Sequence, residues 1–152
     1  MYPIRLVVIG RPKLEGIRLL EVHYRDLLKA YCRLELLEIP EGKGETTRQL
    51  KEEGVRLKAL LTPSRCPVLL DAEGPSRDSE AMAAWLGVRM DRGESLAFAL
   101  GSSHGFDPAL KHAIPERLSL SPMTFPHDLS RVMFLEQLYR SFSILKGKTY
   151  HK

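Results

Sequence analysis

The sequence predicts an α/β fold, a mostly parallel sheet flanked by helices, in one domain over residues 1–152. Three observations lead there. Short β-branched apolar runs alternate with longer segments whose apolar residues recur every three or four positions, the pattern of strands joined by crossover helices. The length of 152 residues is about one domain, and a chain 43% hydrophobic and 28% charged can bury a real core. No internal repeat, low-complexity stretch or long linker divides it.

Each element has its own signal. Residues 4–9 (Ile-Arg-Leu-Val-Val-Ile) are compact, β-branched and stopped by Gly10, as in a buried strand. From about Leu14 to Tyr31, the residues Ile17, Leu20, Tyr24, Leu27, Leu28 and Tyr31 share one helical face. A second strand, 34–39, ends at Pro40. The turn-rich residues 41–45 then lead to Thr46 or Thr47 as the cap of a helix reaching about Leu61, with Leu50, Leu57, Leu60 and Leu61 inward. Gly54 weakens that helix. Residues 67–71 form a short buried strand carrying Asp71 at its carboxyl end, and Asp78 or Ser79 caps a helix through Met90. Residues 95–100 form another strand. Asp107-Pro108 starts a helix with proline at its first position. Residues 118–121 form a short fifth strand, and the last helix runs from His127 or Asp128 to about Leu145, stopped by Gly147. Ligands of open α/β sheets bind beyond the carboxyl ends of strands, so the loops after Leu70, Leu100 and Ser121 form the candidate site.

Several function classes are excluded. No apolar run approaches the roughly 18 residues of a membrane span, and residues 4–9 lack the features of a signal peptide. Cys32 and Cys66 form no CxxC pair, which predicts two reduced thiols in a cytoplasmic protein. The five histidines show no HExxH or other ligand spacing, so no metal site is expected. Gly42-Lys43-Gly44-Glu45-Thr46 superficially resembles a phosphate loop, but Gly44 is followed by Glu45 where the pattern needs lysine. No GxSxG elbow supports a hydrolase.

Two features remain. The 101–105 loop (Gly-Ser-Ser-His-Gly) lets a ligand approach the main chain closely, although a tight strand-to-helix turn would use the same residues. The net charge of +4 lies wholly at the carboxyl end: the last 22 residues hold five bases and one acid, leaving 18 of each sign before them. There Lys146, Lys148 and Lys152 are interleaved with Tyr150 and His151. Such a tail can grip phosphates and stack on unpaired bases, or be simply a solvated end.

Residues 118–127 (Leu-Ser-Leu-Ser-Pro-Met-Thr-Phe-Pro-His), followed by Arg131, then Leu135-Glu136-Gln137-Leu138-Tyr139-Arg140 and the ending Gly147-Lys148-Thr149-Tyr150-His151-Lys152, closely resemble the end of the RlmH family. These are SPOUT-class methyltransferases that modify N3 of a pseudouridine in large-subunit (23S) rRNA. Glu38-Ile39-Pro40 with Gly42-Lys43, Leu70-Asp71 with Gly74, the 101–105 loop and the first strand ending in Gly10 match in order, so the resemblance covers the whole chain.

The resemblance implies a SPOUT domain whose carboxyl-terminal segment threads a trefoil knot, and a homodimer that acts on assembled ribosomes. By position, S-adenosylmethionine would contact Leu70, Gly101, Ser102 and Gly105, with Leu118, Ser119, Leu120, Ser121, Pro122, Met123 and Thr124. Arg131, Arg140, Lys148, Tyr150, His151 and Lys152 would meet RNA. Methyl transfer is dominated by positioning. Loss of the N3 proton calls for a basic group or positive field, which makes His151 and Arg140 the catalytic candidates, with Tyr150 as a stacking platform. Arg140 could equally pair with Glu136, one helical turn earlier. The family loop usually reads Gly-Gly-x-x-Gly, and Ser102 replaces its second glycine, which predicts a narrower approach or a changed main-chain angle. Two alternatives stand beside the rRNA enzyme: a non-catalytic RNA- or ribosome-binding relative, and a SPOUT methyltransferase acting on another RNA.

Overall fold

The computed structural model describes residues 1–151. Five strands, β1 (Tyr2–Ile9), β2 (Cys32–Ile39), β3 (Cys66–Leu70), β4 (Leu96–Leu100) and β5 (Arg117–Leu118), form one sheet in the order β2-β1-β4-β3-β5. Every pairing is parallel. The helices are α1 (Glu15–Leu28), α2 (Thr46–Leu61), α3 (Ser79–Asp91), α4 (Pro108–Ala113) and α5 (His127–Leu145), followed by a 3-10 turn, Thr149–His151.

Alternation along the strands sorts their side chains onto two buried faces. Leu6, Val8, Val68 and Phe98 pack against α1, α3 and α5, through Leu28, Leu86, Phe134 and Leu138. Val7, Ile9, Leu69, Ala97 and Ala99 turn to the other face, under Leu57 and Leu61 of α2 and Leu110 of α4. With both faces covered, central β4 is buried at every residue, which is why its sequence reads as an unbroken apolar run. Phe98 meets Phe134 with ring centroids 4.8 Å apart, and burying one such side chain contributes about 1.5–3 kcal/mol.

The expected elements are present in order, with shifted ends. Helix α1 stops at Leu28 rather than Tyr31, and Leu20, expected inward, is 44% exposed. Helix α2 begins at Thr46 without a side-chain cap and continues through Gly54. At α3, Asp78 is the cap, its Oδ1 accepting from the Ala81 amide at 2.7 Å. The fifth strand shrinks to Arg117–Leu118, and Ser119 makes only an isolated bridge to Ser76. Helix α5 carries no single apolar stripe because it lies between α1 and α3, burying Val132, Phe134, Leu135, Leu138 and Phe142. Both cysteines are unpaired and buried, and burial pushes the Cys32 thiol up to about 12. Among the described residues no helix is long and apolar enough to cross a membrane.

Candidate functional site

A cleft of about 210 Å³ opens beyond the carboxyl ends of β3 and β4, bordered by the segment after β5. Leu70, Leu100, Phe106 and Leu120 supply apolar wall, and Gly101 and Ser102 bring main chain against it. The loop after β4 closes on itself: the Gly105 amide donates to the Ser102 carbonyl at 3.0 Å, and the two residues form an isolated bridge. Two glycines make this closure possible for different reasons. A Cβ on Gly101 would lie 2.8 Å from the Gly105 carbonyl oxygen and 3.1 Å from Phe106 Cε1, so the position has no room for a side chain. Gly105 has φ +81°, a left-handed conformation costly to other residues.

Ser102 is accommodated. No non-glycine residue among those described has a positive φ, so the serine needs no unusual main-chain angle. Its side chain is buried at the cleft and its Oγ has no hydrogen-bond partner. An unpartnered buried hydroxyl beside a close main-chain approach suits a ligand that brings its own polar atoms.

The opposite border is stitched in place. Asp71 N donates to Leu118 O and Ser119 N to Pro75 O, both at 3.0 Å, which ties the β3–α3 loop to the segment after β5. Ser121 Oγ accepts from the Met123 amide at 3.0 Å. Of the cofactor candidates, Leu70, Gly101, Ser102, Gly105, Leu120, Ser121, Met123 and Thr124 line the cleft. Leu118 and Ser119 instead line a larger groove of about 480 Å³ bordered by α1, the start of α3 and α5, and Leu120 borders both. Pro122 lines neither.

The structure adds cleft residues that were not among the cofactor candidates. Asp71, visible in the sequence as the carboxylate ending β3, is paired with Lys111 of α4 at 3.1 Å. Burial pulls the Lys111 ammonium down, but hydrogen bonds to Asp71 and Glu73 prevail and hold it above its ordinary value. His127, the last residue of the matched 118–127 segment, and Ser130 also face the cleft from the first turns of α5, and the packing of that helix is what brings Ser130 there.

The RNA candidates lie elsewhere. Arg140 Nε donates to Glu136 Oε1 at 3.0 Å, the intrahelical pairing weighed in the sequence as the alternative to an RNA contact. That hydrogen bond raises the guanidinium further, so Arg140 is a fixed cation and no proton acceptor. Tyr150 lies edge-on to Tyr139 with centroids 4.7 Å apart, and the Arg140 guanidinium sits 5.1 Å from its ring centre. Burial, then hydrogen bonding to Tyr24, holds the Tyr150 phenol above its usual range. Lys148 stands over the Tyr31 ring at 5.0 Å. Tyr150 Oη donates to Glu136 Oε1 at 3.3 Å, so the tail turns back along α5, and none of its described residues lines the cleft. Arg131 is 1% exposed and ion-paired to Glu21 and Glu38, so its charge faces inward and not toward a phosphate. The side chain of His151 and all of Lys152 lie outside the described residues.

At the glycine-rich turn after β2, the Gly42 and Lys43 amides donate to Glu53 at 2.9 Å and Glu52 at 3.2 Å. Carboxylates hold the groups a phosphate would need. Among the described residues, no group of three or more His, Cys, Asp or Glu side chains is placed to hold a metal ion.

Comparison with known proteins agrees with this geometry. A family model described as "Predicted SPOUT methyltransferase" matches residues 2–151. The chain is 36% identical over 150 residues to the ribosomal RNA large subunit methyltransferase H of Pelobacter propionicus, covering 97% of this chain and 98% of that protein. It is 40% identical over 149 residues to the protein of the same name from Gloeobacter violaceus, covering 97% of each. Among solved structures, a methylase family protein from Neisseria gonorrhoeae superposes with a TM-score of 0.55 over 90% of this chain and 81% of that one. At 11% identity, that likeness concerns the fold alone.

Proposed function

Because this chain belongs to the RlmH family of SPOUT methyltransferases, we propose that it methylates N3 of a pseudouridine in large-subunit (23S) rRNA, acting on assembled ribosomes. The observation that carries this reading is the cleft beyond β3 and β4, where eight of the family-matched cofactor positions converge. It rests also on the names of relatives matched over nearly their full length.

In this reading S-adenosylmethionine binds the cleft and supplies an electrophilic methyl group on a sulfonium. Gly101 leaves main chain open to it, Leu70, Leu100 and Leu120 cover its apolar parts, and Ser102 Oγ gains the partner it lacks. The paired Asp71 and Lys111 keep a carboxylate fixed at the rim. The tail serves the RNA: Tyr150 offers a ring face for stacking, Arg140 a fixed cation, and His151 an imidazole that takes the N3 proton.

We also propose a homodimer, and a trefoil knot formed where the chain after β5 passes the β3–α3 loop. The dimer is supported by the family resemblance and by exposed apolar side chains on α1 and α5. Leu19, Leu20 and Val22 on α1 and Leu129 on α5 are 39–62% exposed, more apolar surface than isolated helices usually leave uncovered. Light scattering at micromolar concentration should give twice 17.2 kDa, and a stable monomer would overturn the dimer.

The function is tested by calorimetry with S-adenosylmethionine and its demethylated product, followed by mass spectrometry of rRNA from cells lacking the protein. Binding of both ligands and loss of one methyl from a 23S pseudouridine are expected. No binding at millimolar concentration would favour the non-catalytic relative, and a methyl lost from another RNA would reassign the substrate.

A further inference from the structure

We propose that Arg131 is a positioning residue for the methyl donor: by pairing with Glu21 and Glu38 it fixes the first turns of α5, which form one wall of the cleft. The proposal rests on the reading of that cleft as the cofactor site.

Arg131 is among the largest fully buried side chains of the protein. Its Nε lies 2.7 Å from Glu21 Oε2 on α1, and its Nη2 lies 2.9 Å from Glu38 Oε2 at the carboxyl end of β2. The N–H directions miss the carboxylate oxygens, so these contacts are charge pairs and not linear hydrogen bonds. One guanidinium therefore ties three elements that are distant in sequence.

Stability is a weak explanation for such a cluster. Desolvating the three charges offsets much of their attraction, and apolar replacements of buried ion pairs are often equally stable. What the cluster does provide is a defined position. The cap residue of α5, Pro126, makes no side-chain hydrogen bond, so the helix start is not held locally. It is held by Arg131 and by Asp128, whose Oδ2 accepts from the Lys13 amide at 3.2 Å. His127 and Ser130 are in the same two turns and face the cleft. The facing wall is built on β4, buried throughout, so the width of the cleft depends on where these turns of α5 sit.

The test uses the full-length protein and two variants. Arg131→Lys keeps the charge, but one ammonium cannot reproduce two guanidinium nitrogens addressing separate carboxylates. Glu38→Gln is milder, because the Glu38 side chain is 32% exposed and its loss leaves Glu21 in place. Calorimetry well below the melting temperature should show S-adenosylmethionine bound at least tenfold more weakly by Arg131→Lys and several-fold more weakly by Glu38→Gln. Affinity for ribosomes and its salt dependence should stay at the wild-type level. Unchanged cofactor affinity in folded Arg131→Lys, with only a lower Tm, would overturn the proposal. So would weaker ribosome binding with a shallower salt slope, the signature of a phosphate contact. If Arg131→Lys fails to fold, Glu38→Gln decides alone, and wild-type cofactor affinity in that variant overturns the idea. A wild-type protein that binds no S-adenosylmethionine would instead remove the cofactor reading itself, and this proposal with it.

Discussion

Replacing Gly101 by alanine is expected to weaken S-adenosylmethionine binding at least hundredfold, about 2.7 kcal/mol, while the sheet stays folded. The added Cβ would sit 2.8 Å from the Gly105 carbonyl oxygen, closer than real Cβ atoms come, and 3.1 Å from the Phe106 ring. Relief requires the 102–105 turn to swing away, breaking the Gly105 to Ser102 hydrogen bond and moving the backbone that borders the cleft. Core residues Val68, Phe98 and Leu135 belong to a cluster that includes none of the turn's residues, and they keep their packing. Ser102→Gly is the contrasting change. It removes an unstrained side chain whose Oγ has no partner, so affinity should shift by less than tenfold, about 1.4 kcal/mol. Calorimetry on both variants is decisive, and a Gly101→Ala protein that binds within tenfold of wild type would move the cofactor out of this cleft.

Deleting Tyr150, His151 and Lys152 should lower methylation of ribosomes at least hundredfold and leave cofactor affinity unchanged. The fold should survive, because Tyr150 is 38% exposed and its edge-on contact with Tyr139 is worth only about 0.5–1.5 kcal/mol. Cofactor affinity should hold because none of the described tail residues lines the cleft. Turnover should collapse because a stacking ring, an imidazole and a cation for RNA are lost together. Single substitutions separate the three. Lys152→Ala should mainly reduce the salt dependence of binding, and Tyr150→Ala should cost about 1–3 kcal/mol of RNA affinity if its ring stacks on a base. His151→Ala should reduce turnover more than binding. A truncated protein working at the full-length rate would reduce the tail to a solvated end.

Much of this architecture is legible in the sequence, because alternation and helical spacing record directly which side of each element is buried. The unbroken apolar run 96–100 marks a strand covered on both faces, and Asp78 marks a helix start that its own carboxylate then caps. The 101–105 loop stands out by its bounding glycines. Local pattern is silent about partners far along the chain. Nothing in residues 118–121 states that only Leu118 completes the strand and that Ser119 turns to Ser76. Likewise, Leu118 and Ser119 match the family's cofactor segment, yet here they line the groove on its other side. Arg131 is the clearest case. As a lone base near a basic tail it reads as a surface charge for RNA. Its burial is decided by Glu21 and Glu38, carboxylates from α1 and β2 that meet it only when α5 packs across the sheet. A charge can stay inside only where opposite charges are already waiting, and that arrangement belongs to the tertiary structure.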